Sequence, residues 1–197
     1  DQSYSKVMLS SNLNLTIVLL ISISSIIIAS HAQSSTKTTI EIEIEALKAF
    51  KKSITHDPNK ILANWIDTHP HCNWSGIECN NSSNHVISIS LPELQLQGEI
   101  SPFLGNFSNL QLLDLSSNSF TGQIPIQITL CTQLTSLYLV ENSLSGSIPC
   151  ELSNLKMLQY LDLGDNFFNG TLPDCLFEIT SLLGIAFNFN NLTGRIP

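Results

Sequence analysis

The chain has 197 residues, room for one extended structural unit and no second large domain. Charged residues make up only 12%, against a usual share of about 25%, and Asn, Ser and Thr take their place. The formal net charge is −8 and no Lys/Arg cluster occurs, which excludes nucleic acid as a partner because nothing could neutralise its phosphates.

Residues Leu13 to Ala29 are apolar and uncharged, and Ser30-His31-Ala32 places small residues where a signal peptidase reads. Residues 1–32 therefore read as a secretory signal cleaved before Gln33. A retained anchor is the rival, but Ile17–Ala29 is short for a span of about 20 residues. The chain opens on Asp1 rather than Met, so Met8 is a candidate start. Five cysteines suit an oxidising compartment. Asn-x-Ser/Thr occurs at Asn73, Asn80, Asn81, Asn106, Asn169 and Asn191, and such sequons are glycosylated only in a secreted chain.

A Ser/Thr-rich stretch, 33–40, reads as a disordered linker. A cap over 41–85 follows. Thr38-x-x-Glu41 has the form of a capping box, and Ile44, Leu47, Phe50 and Ile54 recur at helical spacing. Glu41, Glu43 and Glu45 read as a solvated face near the helix start, where carboxylates suit the dipole. Asp57-Pro58 should break this helix and start a short second one through Trp65. In "HCNWSGIEC" (71–79), Cys72 and Cys79 flank Trp74 and Gly76; a disulfide is the natural reading, with free buried thiols the alternative. His69, His71 and Cys72 are close together but lack further ligands, so a solvated loop is expected rather than a metal site.

From Val86 onward one frame recurs. "NSFTGQIP" (118–125), "NSLSGSIP" (142–149), "NFFNGTLP" (166–173) and "NNLTGRIP" (190–197) are spaced 24 residues apart. Each extends upstream to L-x-x-L-x-L-x-x-N-x-L-x-G-x-I-P. A degenerate first copy starts at Val86, with Leu94 for the Asn and Ser101 for the Pro. Period and pattern define five leucine-rich repeats: 86–109, 110–133, 134–157, 158–181 and 182–197, the last truncated. Leu113 and Leu115 face the core and Asp114 faces out, so stacked coils form one parallel sheet on a concave face. Asn118, Asn142, Asn166 and Asn190 should build a ladder that satisfies backbone groups. Gly122, Gly146, Gly170 and Gly194 permit a path a Cβ would obstruct, and the Pro ends local pairing. Cys150 and Cys175 fall at neighbouring positions of adjacent coils, within bridging reach on the convex side. Cys131 has no clear partner; it is either buried and inert or paired beyond Pro197. The sequence stops part-way through a coil, so it reads as a fragment. The fold expected is an α/β solenoid with a helical, disulfide-bonded N-terminal cap.

The L-x-G-x-I-P extension resembles plant-type leucine-rich repeats, as in receptor kinases, receptor-like proteins and polygalacturonase inhibitors. "EIEALKAFKKSITHDPNKILANW", "HCNWSGIEC", "HVISISLPELQLQGEISPFLGNFSNLQLLDLSSNSFTGQIP" and "FNFNNLTGRIP" together resemble the plant leucine-rich-repeat receptor Ser/Thr kinases, the flagellin-sensing ones in particular. The resemblance runs from about Glu43 to the last residue. It implies an ectodomain on the outer face of the plasma membrane that binds a flagellin-derived peptide in innate immunity. It also implies a membrane span, a cytoplasmic kinase and a co-receptor kinase, all served by segments beyond residue 197.

No phosphate loop, metal-spaced set or nucleophile elbow occurs, so no cofactor and no enzyme activity are expected within this chain. Binding is assigned to the outward strand positions. One column holds Ser88, Leu112, Ser136, Tyr160 and Gly184; the next holds Ser90, Asp114, Tyr138, Asp162 and Ala186. Beyond them come Pro92, Ser116, Val140, Gly164 and Asn188, then Glu93, Ser117, Glu141, Asp165 and Phe189. Tyr138 and Tyr160 are the candidate anchors, since exposed Tyr is enriched at hot spots. The resemblance adds a peptide contact at Tyr160, and where the family carries an Arg four residues on, this chain has Gly164. Asp114, Glu141, Asp162 and Asp165 give this face a negative sign, which suits the basic part of a peptide ligand. The rival functions are a secreted polygalacturonase inhibitor and a receptor for another peptide.

Overall fold

The structure, a computed structural model, describes residues 37–195. The signal expected over 1–32 and all but the end of the linker lie outside the described residues, as do Ile196 and Pro197. The unit described below begins at Thr38.

Helix α1 (Thr39–Ser53) starts inside the segment read as linker. Its capping box is complete: Glu41 N donates to Thr38 Oγ1 at 3.2 Å, and Thr38 N donates to Glu41 Oε2 at 2.7 Å. Reciprocal satisfaction of two otherwise orphaned N–H groups fixes the start. Ala46, Leu47 and Phe50 form the buried face. Glu43 corrects the sequence reading: it is fully buried, not solvated. Its Oε1 accepts from His85 Nδ1 and its Oε2 from Val86 N, each at 3.0 Å.

After α1 the chain runs into a short strand, β1 (Ile54–His56), and no second α-helix follows among the described residues. Both oxygens of Asp57 accept instead from Ile61 N (3.0 Å) and Leu62 N (2.9 Å), opening a 3₁₀ turn over Ile61–Asn64. Trp65 and Trp74 stack with centroids 5.5 Å apart, and Phe50 stacks on Phe120 of the second coil at 6.0 Å. These aromatic rings cover the apolar end of the solenoid. Cys72 and Cys79 are bridged, with Cα atoms 5.5 Å apart. His71 also departs from its loop reading: it is buried, with Nε2 3.0 Å from the Asn84 carbonyl oxygen.

The remaining strands are β2 (Ile77–Cys79), β3 (Val86–Ser90), β4 (Gln97–Glu99), β5 (Leu112–Asp114), β6 (Ser119–Gly122), β7 (Ser136–Tyr138), β8 (Ser143–Ser147), β9 (Tyr160–Asp162), β10 (Phe167–Thr171), β11 (Gly184–Ala186) and β12 (Asn191–Thr193). They form two sheets where the sequence led us to expect one. The concave sheet has the order β11-β9-β7-β5-β3-β2, and the second has β1-β4-β6-β8-β10-β12. Coil-to-coil pairs are parallel, while β2 pairs β3 and β1 pairs β4 antiparallel. The cap thus lays one strand along the N-terminal edge of each sheet, hiding backbone groups that would otherwise template association. Gly98 makes this possible in the second sheet, since a Cβ there would run into the Ser53 carbonyl. On the convex side each of the first four coils closes with a 3₁₀ turn, such as Pro102–Asn106 and Cys150–Asn154.

The core is the stack of repeated apolar side chains: Leu110, Leu113, Leu115 and Phe120 of the second coil are fully buried, as are Leu134, Leu137, Leu139 and Leu144 of the third. Beside it runs the Asn ladder. Asn142 Oδ1 accepts from Phe120 N at 2.9 Å, and its Nδ2 donates to Leu115 O at 2.9 Å and to Leu139 O of its own coil at 3.2 Å. Asn166 repeats the pattern one coil on with Leu144 N and Leu139 O. Each side chain thereby staples two coils through backbone groups that no strand pairing reaches.

Candidate functional site

The concave sheet brings the outward residues into straight columns. Strand pairing aligns Ser88, Leu112, Ser136, Tyr160 and Gly184, and beside them Ser90, Asp114, Tyr138, Asp162 and Ala186. Neighbours within a column are separated by the strand spacing of about 4.8 Å. Tyr138 therefore stands between Asp114 and Asp162. Tyr160, two residues before Asp162 on the same strand, faces the same way and is 41% exposed. Its ring has room because the next strand carries Gly184, where a Cβ would come within 3.2 Å of Tyr160 Cδ1.

Glu141 and Asp165 lie differently from the sequence reading. They fall just past β7 and β9, in left-handed backbone with φ of 56° and 49°. Glu93, Ser117 and Phe189 share this conformation, so the whole column sits on the turn that leads into the Asn ladder. A left-handed non-glycine residue is uncommon, and a recurring one marks a backbone path imposed by the coil.

The carboxylates are held by local hydrogen bonds. Asp114 Oδ1 accepts from Ser116 N (3.0 Å) and Ser116 Oγ (2.6 Å), and Asp162 Oδ1 accepts from Gly164 N at 3.0 Å. Ser117 Oγ donates to Glu141 Oε2 at 2.6 Å, and Asn188 Nδ2 donates to Asp165 Oδ2 at 3.5 Å. These bonds orient the acids on the face. With no Lys or Arg in the four columns, the face is acidic and carries the aromatic rings of Tyr138, Tyr160 and Phe189.

Elsewhere the other assigned residues are dispersed. Asn73, Asn80, Asn81 and Asn106 are exposed on the cap and first coil, and Asn169 and Asn191 on β10 and β12. Cys150 and Cys175 are bridged across adjacent convex turns, with Cα atoms 5.8 Å apart. Cys131 is buried and unbridged, its Sγ donating to Leu104 O at 3.2 Å. Burial pushes its thiol up to about 12, against a smaller lowering by the Phe107 backbone hydrogen bond. Among the described residues the one close His/Cys group is His71, Cys72 and Cys79, whose sulfurs are already joined to each other. No described helix is long and apolar enough to cross a membrane.

A helical cap, parallel concave strands and a second sheet built on L-x-G-x-I-P define a plant-type leucine-rich-repeat ectodomain. The leucine rich repeat N-terminal domain matches residues 41–80, and the leucine rich repeat matches 109–131, 133–155 and 157–179. The chain belongs to the leucine-rich-repeat family. It is 35% identical to a chain of the BIR3–SERK2 complex from Arabidopsis thaliana, with a TM-score of 0.74, covering 79% of this chain and 85% of that one. To a chain of the Arabidopsis receptor kinase HAESA in complex with the peptide hormone IDA and the co-receptor SERK1 it is 32% identical, with a TM-score of 0.72, over 78% of this chain and 26% of that one. Among curated proteins, the LRR receptor-like serine/threonine-protein kinase EFR of Arabidopsis thaliana is 40% identical over 86 residues, which is 43% of this chain. The chain spans about a tenth of the length of the curated relatives it matches, from 8% to 12%.

Sequence reasoning missed Glu43 as a buried clasp and missed the second sheet. The second sheet had a signal: "SFTG" and "SLSGS" alternate apolar and polar residues with a period of two.

Proposed function

We propose that this chain is the N-terminal, ligand-binding part of a plant pattern-recognition receptor kinase, and that its concave face takes the basic portion of a flagellin-derived peptide. The observation that carries this reading is the column Asp114–Tyr138–Asp162, in register on β5, β7 and β9, with Tyr160 exposed beside it. Aromatic side chains give large, low-entropy contact area, and a patch of one sign draws in the opposite charge and raises association rate. The likeness to a peptide-hormone-bound receptor kinase supports a peptide over a cell-wall enzyme as the partner.

On this reading the protein enters the secretory pathway and faces the cell exterior. A membrane span and a Ser/Thr kinase follow it, and a co-receptor kinase joins the liganded ectodomain. Isothermal titration of the complete ectodomain against a flagellin peptide tests the ligand. Saturable binding that weakens in Tyr160→Ala supports the proposal; no heat with flagellin peptide, but binding to another peptide, assigns the face to a different ligand. Transcript sequence past Pro197 that ends without an apolar span would favour a secreted inhibitor instead.

A further inference from the structure

A groove of about 440 Å³ runs between α1 and the Pro102–Asn106 turn, away from the concave face. This volume falls within the roughly 300–1,000 Å³ of small-molecule sites. Its walls mix apolar and charged side chains: Ile42, Glu45, Ala46 and Ala49 come from the helix and Phe103 from the turn. Phe103 is 54% exposed and Ile42 36%. Lys48, whose ammonium pairs with Asp67, and Lys52 line the groove as well. So does Asn106, the acceptor residue of the sequon Asn106-Phe107-Ser108, exposed and three residues after Phe103.

We propose that this groove is the seat of the N-acetylglucosamine core of a glycan carried on Asn106. A pyranose ring has one face lined by C–H groups, which packs on an exposed aromatic ring as any apolar surface does. The N-acetyl group supplies a methyl for the apolar wall and an amide oxygen for a lysine ammonium, a three-proton donor. Attachment at the groove itself makes docking intramolecular, so weak contacts suffice at an effective concentration in the range of mM. The cap sequons lack an aromatic floor: Asn73, Asn80 and Asn81 line a surface with Ile77, Ile87, Glu78 and the bridged cysteines. A docked glycan would tie the cap helix to the first coil, adding to the Glu43 clasp. The inference rests on the secretory reading given above.

The test uses the complete ectodomain secreted from a plant cell host, comparing wild type, Asn106→Gln, Phe103→Ser and the double variant. Peptide mapping reports occupancy at every sequon. We expect Asn106 to be occupied, and Asn106→Gln to lower the melting temperature by several degrees in the Phe103 background but not in Phe103→Ser. Hydroxyl-radical labelling supplies a second readout: Phe103 protected in the wild type and labelled in Asn106→Gln. An equal melting shift in both backgrounds, or a Phe103 labelled regardless of Asn106, overturns the proposal. An empty Asn106 beside occupied sequons also overturns it alone, whereas a chain empty at all six overturns the secretory reading with it.

Discussion

Glu43 and His85 stand 42 residues apart in sequence, yet Glu43 Oε1 accepts from His85 Nδ1 at 3.0 Å inside the cap. The second oxygen accepts from Val86 N, the first residue of β3, so one fully buried carboxylate clasps α1 to the first coil. Glu43→Ala would leave the Val86 N–H without its partner, and an orphaned buried donor costs about 1–3 kcal/mol. We expect a loss of that size or more in urea unfolding, with faster amide exchange at Val86. Exchange at Val86 unaltered from the wild type would show that the clasp does not hold the strand.

The Asn ladder should respond more sharply than the residues beside it. Asn142→Ala removes an acceptor for Phe120 N and donors for the Leu115 and Leu139 carbonyls at once. With buried groups costing about 1–3 kcal/mol each when left unpaired, a loss of several kcal/mol is expected in chemical unfolding. Ser143→Ala, one residue on at a half-buried position, breaks no such set of bonds and should cost about 0.5 kcal/mol or less.

Cys131 should be silent to reagents in the folded protein. The thiol is raised from 9.0 to about 12 by burial, so the reactive thiolate is scarce at neutral pH as well as inaccessible. Because the folded value lies above the unfolded one, its contribution to stability is complete below pH 9.0 and disappears as pH rises towards about 12. Mass spectrometry after native iodoacetamide treatment should find Cys131 unmodified, and alkylated once the chain is unfolded in denaturant. Rapid native alkylation would contradict the buried, inert assignment.

The two bridges admit a direct check. Peptide mapping without reductant should recover Cys72 linked to Cys79 and Cys150 linked to Cys175. Recovery of either pair as alkylated thiols removes that bridge from the account.

Charge on the concave face should act on rate more than on affinity. In the complete ectodomain, Asp162→Lys with Asp165→Lys should slow peptide association and flatten its dependence on salt. Each exposed pair is worth only about 0–1 kcal/mol, so the single reversals should have small effects. An association rate and salt slope unchanged by the double reversal would mean that these coils do not steer the ligand.

Much of this protein was legible in its residues because the repeat makes each of them answer to a local rule. An Asn that recurs every 24 residues must meet the same backbone groups in every coil, and a Leu alternating with Asp114 or Asp162 must face inward. The solenoid, the ladder and the outward columns follow from that periodicity, and the Cys72–Cys79 bridge of the cap from local cysteine spacing. Tertiary structure decided whatever depends on residues far apart or on the path between strands. Glu43 looked like part of a wet acidic face until His85 and the start of β3 closed over it. The edge strands β1 and β2 became strands only because β4 and β3 lay beside them, as the bond from Ser53 Oγ to Glu99 O across 46 residues illustrates. Glu141 and Asp165 left the strands for left-handed backbone because each coil must turn before its Asn can reach the coil behind it. That constraint belongs to the stack of coils, and no single coil expresses it.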